Sequence, residues 1–133
     1  MIQPETFLSI IDNSGAQIGK CIQVFNKKKN KIGTIGDIAL VSVKKIKSRI
    51  KSKKVKKKEV HKVLIVRTVK KKNRYDGSSI KFHTNSAIIL KMDNQIKNKY
   101  QPLGTRIFGP ISNELRYNSE ENYKILSLAS KTL

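Results

Sequence analysis

The residue types that usually do chemistry are few in this chain, and they do not converge. Its two histidines, His61 and His83, sit in or beside alternating apolar patterns, His61 in the same stretch as Val60 and Val63. A histidine so placed more often fills a surface or core position than serves as a base or ligand. The one cysteine, Cys21, lies between Lys20 and Ile22 in a strand-like stretch and reads as a small buried hydrophobe. A single cysteine also excludes an internal disulfide framework and any zinc site built from cysteines. Asp12, Asp37, Asp76 and Asp93 are scattered, each at a turn where the side chain serves its own backbone. No two of them have a helix or strand spacing that would bring both carboxylates onto one metal. The pairs Gly33/Gly36 and Gly104/Gly109 match neither nucleotide-loop fingerprint. No catalytic residue, metal site or cofactor is therefore expected. The enzyme alternative is a metal-dependent nuclease using Asp12 or Asp76.

Cations are abundant instead. The 133 residues hold 29 Lys+Arg against 9 Asp+Glu, a net charge of +20. Residues 1–19 are net −2, residues 20–81 net +19 and residues 82–133 net +3. Ten of the fifteen positions from Lys44 to Lys58 are basic and none is acidic, with satellite clusters at 27–31 and 70–74. AT-rich coding contributes, since Lys, Ile and Asn number 24, 18 and 10. That bias also supplies neutral Asn, so it does not require the charge to cluster. Like charges at this spacing repel one another and lower stability unless an anion neutralises them. A nucleic acid is the natural polyanion. Its candidate contacts are Lys44, Lys45, Lys47, Arg49, Lys51, Lys53, Lys54, Lys56, Lys57 and Lys58, joined by Arg67, Lys70, Lys71 and Arg74. Arg67, at a strand end, either contacts phosphate or solvates the edge. Tyr75, beside Arg74, either stacks on a base or packs a neighbour. A heparin-like polymer or an anionic membrane surface is the other kind of partner, but no long basic amphipathic helix supports the membrane version. The longest apolar runs, such as 63–66, are four residues, far short of the about 20 that a membrane-spanning helix needs.

The elements that must carry these side chains are mostly strands. Alternation predicts strands over 6–11, 20–25, 37–47, 59–70, 80–82 and 86–90, separated by turn signals at 12–15, 33–36 and 75–78. The strands 37–47 and 59–70 form a hairpin. Its tip, 48–57, has Ile50 and Val55 isolated among lysines, and is expected to extend from the body and order on a partner. Residues 93–99 read as a polar loop. After Asn113 the period changes, predicting short helices at 114–116 and 120–129, the second capped by Asn118 with Glu121 and sharing Ile125, Leu128 and Ala129 on one face. The fold expected is mainly β: a small five-stranded β-barrel with a protruding basic hairpin at about 44–58 and short C-terminal helices. One domain covers 1–133, the barrel over 1–100 and the loop and helices over 101–133. Phe108 is expected in the core, and Arg106 either bonds a phosphate or partner carboxylate or pairs internally with Glu114.

Six motifs in register then resemble one family. Met1-Ile2-Gln3, Asp12-Asn13-Ser14-Gly15-Ala16, Val66-Arg67-Thr68, Asp76-Gly77-Ser78, the run from Gly104 to Pro110 with Glu114-Leu115-Arg116, and Lys124 to Ala129 follow the order of large-subunit ribosomal protein L-fourteen over essentially the whole chain. The resemblance implies a five-stranded barrel bound to large-subunit rRNA, beside other large-subunit proteins, helping to form bridges to small-subunit rRNA. It assigns rRNA contact to Lys51 through Lys58 and the strand after them. It places Thr105, Arg106, Arg116 and Lys124 towards the subunit interface, where a ribosome anti-association factor can dock. Lys58-Glu59 stands where Gly-Asp is common, 93–101 is longer than usual, and His83-Thr84 replaces an Asp-Gly turn. The AT bias, and a start that coincides with the family's own, favour a mitochondrial ribosome, with a plastid or an AT-rich bacterium as alternatives. No homo-oligomer is expected. The rival from another class is a free-standing single-strand-binding regulator, which needs a strip of stacking aromatics.

Overall fold

The computed structural model describes residues 1–25, 32–49, 54–93, 99–117 and 122–133. The loop at 27–31, the residues Ile50, Lys51 and Lys53, most of the 93–99 loop and the Asn118 cap with Glu121 lie outside the described residues. The strands are β1 (Phe7–Ile10), β2 (Ala16–Phe25), β3 (Ile38–Ile46), β4 (Val60–Arg67), β5 (Lys72–Asn73), β6 (Ser79–Ile80), β7 (Ser86–Met92), β8 (Tyr100–Pro102) and β9 (Ile107–Ile111). A 3-10 helix (Asn113–Tyr117), α1 (Asn122–Leu128) and β10 (Ala129–Thr132) follow.

β1, β2, β3, β4 and β7 pair in that order, and β1 closes the ring by running parallel to β7, with Ser9 opposite Ser86. This is the expected five-stranded barrel. Alternation along the strands decides what fills it: Leu8, Ile10, Cys21, Val41, Val43, Val63, Ile65 and Ile89 form the interior cluster. Burial pushes the Cys21 thiol up, as befits a space-filling side chain. The outer wall of β4 and β7 is apolar too, because a second layer covers it. Leu64, Val66, Ile88 and Leu90 pack there against Ile107, Ile111, Leu115 and Ile125 from the C-terminal elements. This explains why 63–66 is a continuous apolar run rather than an alternation: both of its faces are buried.

The C-terminal layer differs from expectation in three ways. Residues 107–111 are a strand, despite Gly109 and Pro110, and 129–132 form β10 parallel to it. The second helix is described over Asn122–Leu128 and ends one residue earlier than its apolar period suggests, because Ala129 leaves it to begin β10. Phe108, expected in the core, is 48% exposed: β9 faces its alternate residues outward, and Ile107 and Ile111 take the buried side.

The basic connection between β3 and β4 also differs. Val55 is 1% exposed and packs in the barrel cluster beside Ile46 and Leu103. The Lys54 amide donates to the Ser14 carbonyl and the Lys58 amide to the Val43 carbonyl. The described part of the tip, 54–58, is therefore laid against the barrel end instead of standing free. A single valine finds its apolar partners in distant segments, which a local pattern does not reveal.

Candidate nucleic-acid interface

The turn after β1 builds the first part of the site. The Asp12 carboxylate accepts the Ser14 amide at 3.1 Å and the Ser14 hydroxyl through Oδ1, and the Ile89 amide at 2.8 Å through Oδ2. Both oxygens of this buried side chain are committed to the fold. Gly15 completes the turn at φ 104°. The turn then organises two other segments. The carbonyls of Gly15 and Ser14 accept the amides of Lys47 and Lys54, fixing both ends of the basic connection. Asn13 Oδ1 accepts the amides of Thr105 at 2.7 Å and Arg106 at 3.3 Å, and its Nδ2 donates to the Thr105 hydroxyl at 2.8 Å. Gly104 must be glycine here, since a Cβ would stand 2.7 Å from Asn13 Oδ1.

One end of the barrel thus gathers residues that the sequence assigned to two roles. Lys54 Nζ donates to the Leu103 carbonyl at 3.2 Å, and Lys47 Nζ sits 4.9 Å from the centre of the exposed Phe108 ring. Lys44, Lys45, Arg49, Lys56, Lys57 and Lys58 are exposed around this end. Thr105 and Arg106 are exposed beside them, and Arg106 has no internal ion pair with Glu114. Arg116 and Lys124 are exposed on the C-terminal layer. Asn13 is the organiser that sequence reasoning missed: its Asp-Asn-Ser-Gly context signals a turn, but nothing local signals its reach to residue 105.

Arg67, Lys70, Lys71 and Arg74 lie past the other end of β4, and the two arginines are turned inward. Arg67 Nε donates to the Pro110 carbonyl at 2.6 Å and Nη2 to that of Phe108, so the side chain staples β4 to β9. Burial pushes the Arg67 guanidinium below its ordinary value. Arg74 forms a two-pronged pair with Glu114, and its Nη2 also donates to the Leu133 carbonyl at 2.6 Å. Burial pushes the Glu114 carboxyl up, but the Arg74 hydrogen bonds and charge outweigh it and hold it below its ordinary value. Lys70 and Lys71 are exposed.

Charge compensation inside the chain is slight. The described residues include the ion pairs Lys20–Glu5 and Arg74–Glu114, and His61 Nε2 lies 3.0 Å from Glu59 Oε2. The Asp76 carboxylate is occupied by the Ser78 hydroxyl and amide, and Asp37 by Thr34. None of the barrel-end lysines forms a salt bridge among these residues, although the Glu59 carboxylate is within electrostatic reach of Lys56. Nor is there a group of three or more His, Cys, Asp or Glu side chains that could hold a metal among them.

The fold and the site define a class: a small, closed, strongly basic β-barrel protein. The family model described as ribosomal protein L14p/L23e matches residues 1–133. The chain belongs to that family, whose members are structural proteins of the large ribosomal subunit and not enzymes.

Proposed function

We propose that this protein is a structural constituent of the large subunit that binds large-subunit rRNA through the basic barrel end and helps form bridges to small-subunit rRNA. The observation that carries this reading is the charge of Lys44, Lys45, Arg49, Lys56, Lys57 and Lys58, exposed at one end of the barrel and without a salt bridge among the described residues. Phosphate is the ligand such an array meets best, and releasing condensed counterions from RNA supplies the driving force. Lys51 and Lys53 belong to the same basic run, with Lys47 and Lys54 at its base and Lys70 and Lys71 on a second flank. Arg67 and Arg74 act chiefly as staples that hold β9 and the β5–β6 hairpin.

Thr105 and Arg106, set by Asn13, form the face turned to the other subunit, with Arg116 and Lys124 on the C-terminal layer. Neighbouring large-subunit proteins and an anti-association factor are the protein partners of that face. The AT-biased composition supports a mitochondrial ribosome over a plastid or bacterial one. Sedimentation tests the reading: in a lysate at low magnesium the protein should co-migrate with the large subunit and resist moderate salt, and the organelle fraction supplying that subunit gives the compartment. Migration at the top of the gradient would sink it.

A further inference from the structure

Two tyrosines on the C-terminal side of the molecule pack on almost nothing. Tyr75 is wholly exposed and Tyr117 is 83% exposed. One exposed aromatic needs no explanation, but these two share a rigid mount. Tyr75 sits on a tight turn in which the Arg74 amide donates to the Ser78 carbonyl at 2.8 Å and the Gly77 amide to that of Arg74 at 3.2 Å. Gly77 supplies the φ of 84° that the turn needs. Arg74 then clamps this hairpin to Glu114 of the 3-10 helix. Side chains three apart eclipse one another in such a helix, so Tyr117 lies on the same face as Glu114. Its phenol is within electrostatic reach of Arg74, the residue before Tyr75. The exposed cations Lys71 and Lys81 flank the hairpin that carries Tyr75, and Arg116 precedes Tyr117, while the carboxylates Asp76 and Glu114 are taken up by Ser78 and Arg74.

We infer that Tyr75 and Tyr117 form a stacking platform for unpaired RNA bases, flanked by lysine and arginine that hold the strand's phosphates. The inference rests on the rRNA-binding reading and sharpens it: this flank takes single-stranded nucleotides, whereas the barrel end takes backbone phosphate of any geometry. Aromatic faces engage base faces only where bases are splayed out of a helix, since a duplex hides them. The backbone segments that carry the two rings are tied together by the Arg74–Glu114 pair before binding, which lowers the ordering cost.

Anisotropy titrations of the full chain with a short unstructured oligo(A) strand, and separately with an RNA duplex, test this. Tyr75→Ala and Tyr117→Ala should each weaken oligo(A) binding about fivefold or more. Tyr75→Phe and Tyr117→Phe should keep it, because the ring remains. Duplex affinity and the salt slope should not change in any variant, since no charge is removed. Unchanged oligo(A) affinity in the double alanine variant would overturn the inference and leave the tyrosines to a protein partner. A loss shared by the phenylalanine variants, or an equal loss on duplex, would overturn it as well. Failure of the wild-type chain to bind either RNA would instead overturn the rRNA-binding reading, and this inference with it.

Discussion

Lys58 holds a left-handed backbone conformation, φ 72°, that residues with a Cβ adopt at a cost. It does so where the family commonly has glycine, and Glu59 follows in the place of the usual aspartate. The turn nevertheless keeps its hydrogen bonds: Glu59 accepts the Lys56 amide and His61 Nε2, each at 3.0 Å. The Lys56 amide and His61 hold the Glu59 carboxyl below its ordinary value. Lys58→Gly should therefore relieve strain of about 1–2 kcal/mol, offset by up to about 1 kcal/mol of added chain entropy. Urea unfolding should find it neutral to slightly stabilised, and Lys58→Val, β-branched at the same φ, less stable than wild type. The lysine at this point adds a charge to the basic barrel end in exchange for that strain. At this scale the sequence was legible where a residue serves its own neighbourhood, as Asp12 does through Oδ1, though its other oxygen reaches the distant Ile89 amide. Asn13, Phe108 and Val55 were not legible, because their roles come from segments far away in the chain.

The strands with alternating side chains were readable because burial on one face imposes period two. β8, β9 and β10 were not. Gly109 and Pro110 look like turn residues, and 129–132 is largely polar, so only pairing with each other and with the barrel makes them strands. Two elements give direct tests. Val55→Ala opens a small void where the basic connection is pinned, and should cost about 2 kcal/mol in thermal or denaturant unfolding. Limited proteolysis should then cut 48–58 faster than in wild type. The C-terminal layer depends on the Arg74–Glu114 pair. The folded value of Glu114 lies below the ordinary 4.5, so its contribution is fully present above that value and is lost as pH falls through the folded one. Protection factors of the β9 and β10 amides, which correct for the intrinsic slowing of exchange in acid, should fall on acidification below about pH 4.5. Glu114→Gln should exchange faster at neutral pH and lose most of that acid dependence.

For the whole molecule, charge dominates behaviour. With about six to ten phosphate contacts, RNA affinity should fall on the order of a thousandfold or more between 50 and 200 mM salt. Filter binding across that range checks it, and a flat response would remove electrostatic docking as the mechanism. The basic half of the candidate site was legible in the sequence because charge needs no geometry to be counted. Its convergence with Thr105 and Arg106 was not, since that depends on the 12–15 turn holding both.

The parallel pairing of Ser9 with Ser86 sets a condition on birth rather than on function. During translation β1 has β2 as its first partner, but its second edge stays bare until residues 86–87 have been made. Contacts so distant along a chain slow folding. An unpaired strand edge is also a template on which one nascent copy can capture another. The positive charge concentrated in residues 20–81 is synthesised within that same interval. Mutual repulsion between half-made copies opposes such capture, so the clustered charge also acts as a solubility guard during the protein's own assembly.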